Sequence, residues 1–118
     1  MTLQENREET PRFDLSVYKE LYLDQARQCL MTLARNVATL EDDPTDLKVL
    51  KVAHRAAHTL KGMSATMHYQ ALTRLAQVLE APLHRAVRET LMLTSEQIEL
   101  LREVCRDFEK QLDHLDLE

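Results

Sequence analysis

Arg55-Ala56-Ala57-His58-Thr59-Leu60-Lys61-Gly62-Met63-Ser64-Ala65-Thr66-Met67 is the stretch from which the rest of this sequence can be read. Apolar residues recur ahead of it and through it at Val49, Val52, Ala53, Ala56, Leu60, Met63 and Met67. That spacing gives a helix one apolar face. On such a helix His58, Lys61 and Gly62 stand at i, i+3 and i+4, which are surface neighbours. The stretch therefore gathers an imidazole, an ammonium and a missing side chain. A glycine inside a helix costs about 1 kcal/mol against alanine. Gly62 then has two readings, tight packing against another helix or close approach by a partner. A histidine with a cation one turn away and bare backbone beside it is suited to handling a phosphoryl group.

Working outward, three more segments carry the same periodicity. Upstream, Leu15, Tyr18, Tyr22, Ala26, Cys29, Leu33, Val37 and Leu40 predict a first helix that Glu41-Asp42-Asp43-Pro44 ends. Asp14 is its expected N-cap, with Phe13 and Tyr18 as a hydrophobic staple. Thr45 is expected to cap the second helix, with Asp46 favoured by the dipole in its first turn. A break at His68-Tyr69-Gln70 leads to a third helix over about 70–88, striped by Leu72, Leu75, Ala76, Leu79, Leu83 and Val87. Pro82 falls inside it. It removes one helical hydrogen bond and crowds the carbonyl of Val78, so a kink or two shorter pieces are expected. Thr94 and Gln97 form a capping box for a fourth helix with Ile98, Leu101, Val104, Cys105, Phe108, Leu112 and Leu115 inward. Four amphipathic helices with short connections predict an all-α, up-down-up-down antiparallel four-helix bundle over 13–118. Residues 1–12 are expected to be a flexible polar tail.

Composition agrees with that class. With 1 glycine, 3 prolines, no tryptophan and 4% aromatics in 118 residues, the chain lacks the turns and aromatic strands of a β fold. A chain of this length buries roughly 65% of its unfolded surface, enough for one core. No apolar run reaches the roughly 20 residues of a membrane span. Met1 to Arg12 has no signal-peptide-like apolar stretch, so a cytoplasmic location without membrane contact is expected. The two cysteines, Cys29 and Cys105, lie in apolar helical patterns without a CxxC spacing and read as reduced, buried thiols.

The net charge of −5 disfavours nucleic acid as a partner. Its distribution is uneven. From residue 47 to residue 79 there is no acid, while Lys48, Lys51, Arg55, Lys61 and Arg74 give that stretch a charge of +5. This is either a solvated basic face or a field that draws an anionic ligand or acidic protein surface toward His58.

Hairpin geometry supplies the missing carboxylate. With Tyr69 as the centre of the turn, His58 lies 11 residues before it and Glu80 11 residues after it. Both are then about 16 Å from the turn at 1.5 Å per residue. A carboxylate there accepts the Nδ1 proton, fixes the tautomer and leaves Nε2 as the nucleophile. Lys61 would serve as a mobile cation for phosphoryl oxygens. The same reckoning sets Lys61 level with Gln77.

The run from Arg55 to Met67, followed by Leu79-Glu80, resembles a histidine phosphotransfer (HPt) domain, most closely the kind found at the N-terminus of the chemotaxis kinase CheA. Tyr22-Leu23-Asp24-Gln25-Ala26-Arg27 and Leu40-Glu41-Asp42-Asp43-Pro44 share the likeness, which covers about 14–115. The resemblance implies that His58 is phosphorylated on Nε2 by the ATP-binding catalytic domain of a CheA-type kinase. It further implies transfer to an aspartate of a response-regulator receiver domain. Lys61 would assist the phosphoryl group, Glu80 would hold Nδ1, and Gly62 would leave room for the partner. Arg55, Ser64, Ala65 and Gln77 are the further candidate binding residues. No cofactor is expected on this domain itself, ATP being the phosphoryl source on the kinase. Three positions depart from the family pattern. His68 stands where the turn usually has glycine, Gln77 stands where CheA proteins often have a second histidine, and Pro82 is unexpected.

Other readings carry less. His54 and His58 have the i, i+4 spacing of a metal pair, but no further ligands accompany them and no metal is expected. His84 and His114 read as solvent-facing. Without a phosphate-cradling glycine loop or a kinase signature, catalysis by this chain alone is not expected. The alternative from another class is a degenerate bundle that docks partners without carrying phosphate. Within the family, the sequence is compatible with a small shuttle protein or with the first domain of a large kinase.

Overall fold

A computed structural model of the chain describes residues 15–118. The expected tail over 1–12, the Asp14 cap and the Phe13 half of the staple fall outside those residues. Among the described residues the fold is built of four helices: α1 (Leu15–Asp42), α2 (Leu47–Thr66), α3 (Gln70–Glu89) and α4 (Ser95–Leu117). The helix α1 packs on α2 and α4, and α3 packs on the same two, so the four close into a ring around one core. This is the expected antiparallel bundle, and its boundaries follow the punctuation of the sequence.

Local chemistry explains the ends. Asp46, not Thr45, caps α2: its carboxylate accepts from the Val49 amide at 3.3 Å. Thr45 instead donates its amide (3.2 Å) and hydroxyl (2.8 Å) to Asp43 Oδ1, which tightens the α1–α2 turn. Two adjacent residues could each cap, and the carboxylate adds attraction to the helix dipole. At the other end of α2, His68 has φ 61°, left-handed, and its amide donates to the Ala65 carbonyl at 3.0 Å. The Tyr69 amide donates to Ser64 O at 3.0 Å, closing the α2–α3 turn. Thr90, at φ 54°, ends α3 in the same way. The capping box of α4 is formed, with Gln97 N–Thr94 Oγ1 at 3.1 Å and Thr94 N–Gln97 Oε1 at 2.9 Å.

Pro82 does not divide α3, which runs unbroken from Gln70 to Glu89. The lost bond is the one to Val78 O, and Val78 is on the exposed side of the helix, so the proline falls where the helix faces solvent rather than the core.

Leucine and alanine dominate the core. Leu33, Leu40, Leu60, Leu79, Leu83, Leu101, Phe108 and Leu112 are wholly buried. The expected stripes of α3 and α4 face inward. Those of α1 and α2 are rotated slightly: Leu23, Leu30, Leu50 and Ala57 are buried, whereas Leu15 and Val52 are exposed. Ser64 is buried at 0% exposure among these core residues, and its hydroxyl pairs with Tyr22 Oη at 2.8 Å. Burial lifts the Tyr22 phenol to about 12, against the opposing effect of that hydrogen bond. Cys105 is buried, its thiol pushed by burial to about 11, while Cys29 is half-buried.

Candidate functional site

The helix α2 presents His58 and Lys61 beside α3, and α3 presents Glu80 between them. Ala57 and Leu60, both fully buried, anchor the α2 turn that carries the histidine. Leu79 and Leu83 do the same on α3. His58 and Glu80 are therefore set by core packing on two rigid elements rather than by a loop.

Glu80 is the hub. Its side chain is 13% exposed, and Oε2 lies 2.5 Å from His58 Nδ1. The other oxygen, Oε1, accepts from Lys61 Nζ. A carboxylate only accepts, so Nδ1 carries the His58 proton and Nε2 holds the lone pair. The His58 side chain is 65% exposed, so Nε2 is reachable. Burial pushes the Glu80 carboxyl up, but the Lys61 and His58 hydrogen bonds and charges outweigh it, and its pKa falls below the usual carboxylate value. Glu80 thus stays anionic where the ring needs it.

Gly62 is exposed, and a Cβ built there would meet nothing within 4 Å. Tight helix packing is therefore not its reason. Arg55 and Ala65 are exposed on α2, as is Gln77 on α3. Ala65 and Gln77 line the same shallow surface depression with His68, Gln70, Thr73 and Arg74. Lys61 pairs with Glu80 rather than with the level Gln77. Ser64 is a correction to the expected contact residues: it is fully buried against Tyr22, where no partner can touch it. Helical position alone could not separate it from Ala65, because the two lie on opposite sides of the boundary of the buried face.

Two histidines complete the site in a way the sequence reading missed. His54 Nε2 lies 3.7 Å from Glu80 Oε2 and 3.3 Å from His84 Nδ1. The His54 ring centroid is 5.1 Å from that of His84 and 6.2 Å from that of His58. His84 is exposed, as expected, but it is not alone in solvent. The signal was present: His54 is 15 residues before Tyr69 and His84 is 15 after it. Burial lowers the His54 pKa below the ordinary histidine value; Glu80 opposes this, and His84, His58 and Lys61 add to the lowering. The neutral ring is favoured. His114 is exposed on α4.

Lys48, Lys51 and Arg55 are exposed on α2, and none of them makes an ion pair among the described residues. At 100° per residue they share one side of the helix with His58 and Gly62. The basic stretch is thus a ridge leading to the imidazole.

The chain belongs to the Hpt domain family, whose model matches residues 17–116. Its role is accordingly phosphotransfer in two-component signalling, and a phosphate-free scaffold is not favoured. Among characterised proteins it is similar to the chemotaxis protein CheA of Bacillus subtilis, with 38% identity over 103 residues, 87% of this chain and 14% of that one. The chemotaxis protein CheA of Klebsiella aerogenes is 31% identical over 85% of this chain and 15% of its own length. The chain thus spans about one seventh of the relatives it matches. The structure is similar to the CheA phosphotransferase domain from Thermotoga maritima, with a TM-score of 0.78 and 28% identity, covering 83% of this chain and 93% of that one. A computationally redesigned four-helix bundle shares the fold alone, at a TM-score of 0.76 and 16% identity. Among the described residues no helix is long and apolar enough to cross a membrane.

Proposed function

We propose that His58 is the phosphoryl carrier, loaded by the ATP-bound catalytic domain of a CheA-type kinase and discharged to an aspartate of a response-regulator receiver domain. The observation that carries this reading is Glu80 Oε2 at 2.5 Å from Nδ1 on a His58 side chain that is 65% exposed. In loading, the Nε2 lone pair attacks the γ-phosphorus, the bond to the bridging oxygen breaks and ADP leaves. The ring becomes cationic, with its Nδ1 proton held by Glu80. Charge-assisted hydrogen bonds of this kind are the strong ones. Lys61, tethered on the other carboxylate oxygen, neutralises the phosphoryl oxygens. In discharge, the acceptor carboxylate attacks phosphorus, the P–N bond breaks and the neutral imidazole returns.

Gly62 leaves the approach to Nε2 open, and Arg55, Ala65 and Gln77 form contact surface around it. The ridge of Lys48, Lys51 and Arg55 attracts the anionic surface that an aspartate acceptor presents. The domain itself binds no cofactor or metal in this reading, it acts in the cytoplasm, and its output is chemotaxis. The test is incubation with a CheA-type kinase core and labelled ATP. Acid-labile, base-stable label that His58→Gln abolishes and that a receiver domain removes supports the carrier. An unlabelled wild-type chain beside an active kinase refutes it.

A further inference from the structure

The pair His54–His84 has no part in the chemistry above, yet it abuts the oxygen that orients His58. We propose that His84 is a positioning residue that acts through His54: it engages His54 Nε2 and so keeps that nitrogen from competing with His58 for Glu80 Oε2. The inference rests on the role of His58 proposed above and assigns what tunes it.

The argument is one of donors and acceptors. Oε2 has His58 Nδ1 at 2.5 Å and His54 Nε2 at 3.7 Å. The other oxygen is taken by Lys61. A neutral imidazole has one N–H and one lone pair. If the His54 proton is on Nε2, it is donated to His84 Nδ1 at 3.3 Å, closer than the carboxylate. If it is on the other nitrogen, the Nε2 lone pair accepts the proton of His84 Nδ1 and has nothing to give Glu80. Both tautomers of the pair leave Oε2 to His58. Without the His84 ring the outcome differs. A His54 proton on Nε2 then has Oε2 as its nearest acceptor, and His54 and His58 share it. The Nδ1–H form of His58 loses part of its preference, and with it the exposed Nε2 lone pair that attacks phosphorus.

His84 lies on the exposed surface and His54 is only partly covered, so removing the outer ring leaves the core intact. The experiment uses the full chain, labelled with nitrogen-15, at about pH 8, where an ordinary imidazole is neutral. A long-range proton–nitrogen spectrum reads which His58 ring nitrogen carries the proton. The expected wild-type state is Nδ1–H. His84→Ala is expected to move part of His58 to Nε2–H and to slow loading by the kinase core about threefold, the modest net effect of one shared hydrogen bond. His54→Phe/His84→Ala removes the competitor and is expected to regain both the tautomer and the rate. A structural role for His84 would leave the double variant as impaired as the single one. An unchanged tautomer in His84→Ala, or a double variant no better than the single, overturns the proposal. Failure of the wild-type chain to load would remove the carrier reading, while the tautomer spectrum would still decide this one.

Discussion

Replacing Gly62 separates stability from function. Gly62 sits inside α2, on its exposed side, with nothing within 4 Å of where a Cβ would be. Alanine there meets no clash, and its backbone carbonyl keeps the hydrogen bond from Thr66 Oγ1 at 2.9 Å. The remaining effect is propensity, about 0.8–1 kcal/mol in favour of alanine. For a domain of this size that corresponds to a melting temperature roughly 4 °C higher. Yet the glycine is one turn beyond His58, where, in the role proposed for that histidine, a kinase or receiver must come within bonding distance of Nε2. Gly62→Ala is therefore expected to melt higher, and Gly62→Gln, with a side chain projecting into that approach, to melt no lower than wild type while loading and discharging His58 at least tenfold more slowly. Thermal unfolding by circular dichroism and single-turnover labelling measure the two effects on the same preparations. A less stable alanine variant would mean that the helix itself needs the glycine. A Gly62→Gln chain that loads and discharges at the wild-type rate would show that no partner uses the gap.

Glu80→Gln removes the acceptor charge from both His58 and Lys61. Hydrogen bonds to charged groups are worth about 1.5–3 kcal/mol, so loading of His58 is expected to slow roughly 10- to 150-fold, read by labelling against the same kinase core; a change within twofold would contradict the hub role. The same variant tests linkage. The Glu80 carboxyl has its pKa lowered in the folded state, so its stabilisation is present above the ordinary carboxylate range and is lost as pH falls through the depressed value. The stability difference between wild type and Glu80→Gln, followed by urea unfolding, should shrink on acidification, and a difference that grows would be the wrong sign. His68→Gly relieves a left-handed side-chain residue at φ 61°, whose cost is about 1–2 kcal/mol, so melting temperature should rise; no change or a fall would locate compensating contacts at His68. Tyr22→Phe strands the buried Ser64 hydroxyl and is expected to cost about 1–3 kcal/mol, whereas Tyr22→Phe/Ser64→Ala should recover part of it. An equally unstable double variant would mean that the ring position, not the hydrogen bond, had been damaged.

The sequence by itself determined the four helices, their order and the height at which His58 meets Glu80. Those follow from short-range rules: a 3.6-residue period, capping chemistry, and equal rise on either side of one turn. The same reckoning reaches His54 and His84, whose spacing about Tyr69 is equally symmetric, but in the sequence His54 pairs at i, i+4 with His58 and His84 reads as solvent-facing, so nothing there asks for it. Tertiary structure decided what rotation about the helix axes controls. Ser64 and Ala65 are neighbours in sequence, yet one is sealed against Tyr22 and the other faces solvent. Lys61 is level with Gln77 by residue count but pairs with Glu80. Asp46 took the cap that Thr45 could have filled. Gly62, ambiguous between packing and access, was resolved only by the empty space beside it. In each case the chain's period specifies that a residue lies near a face. Which side of the boundary it occupies depends on the neighbouring helix, whose position is set by the whole core at once.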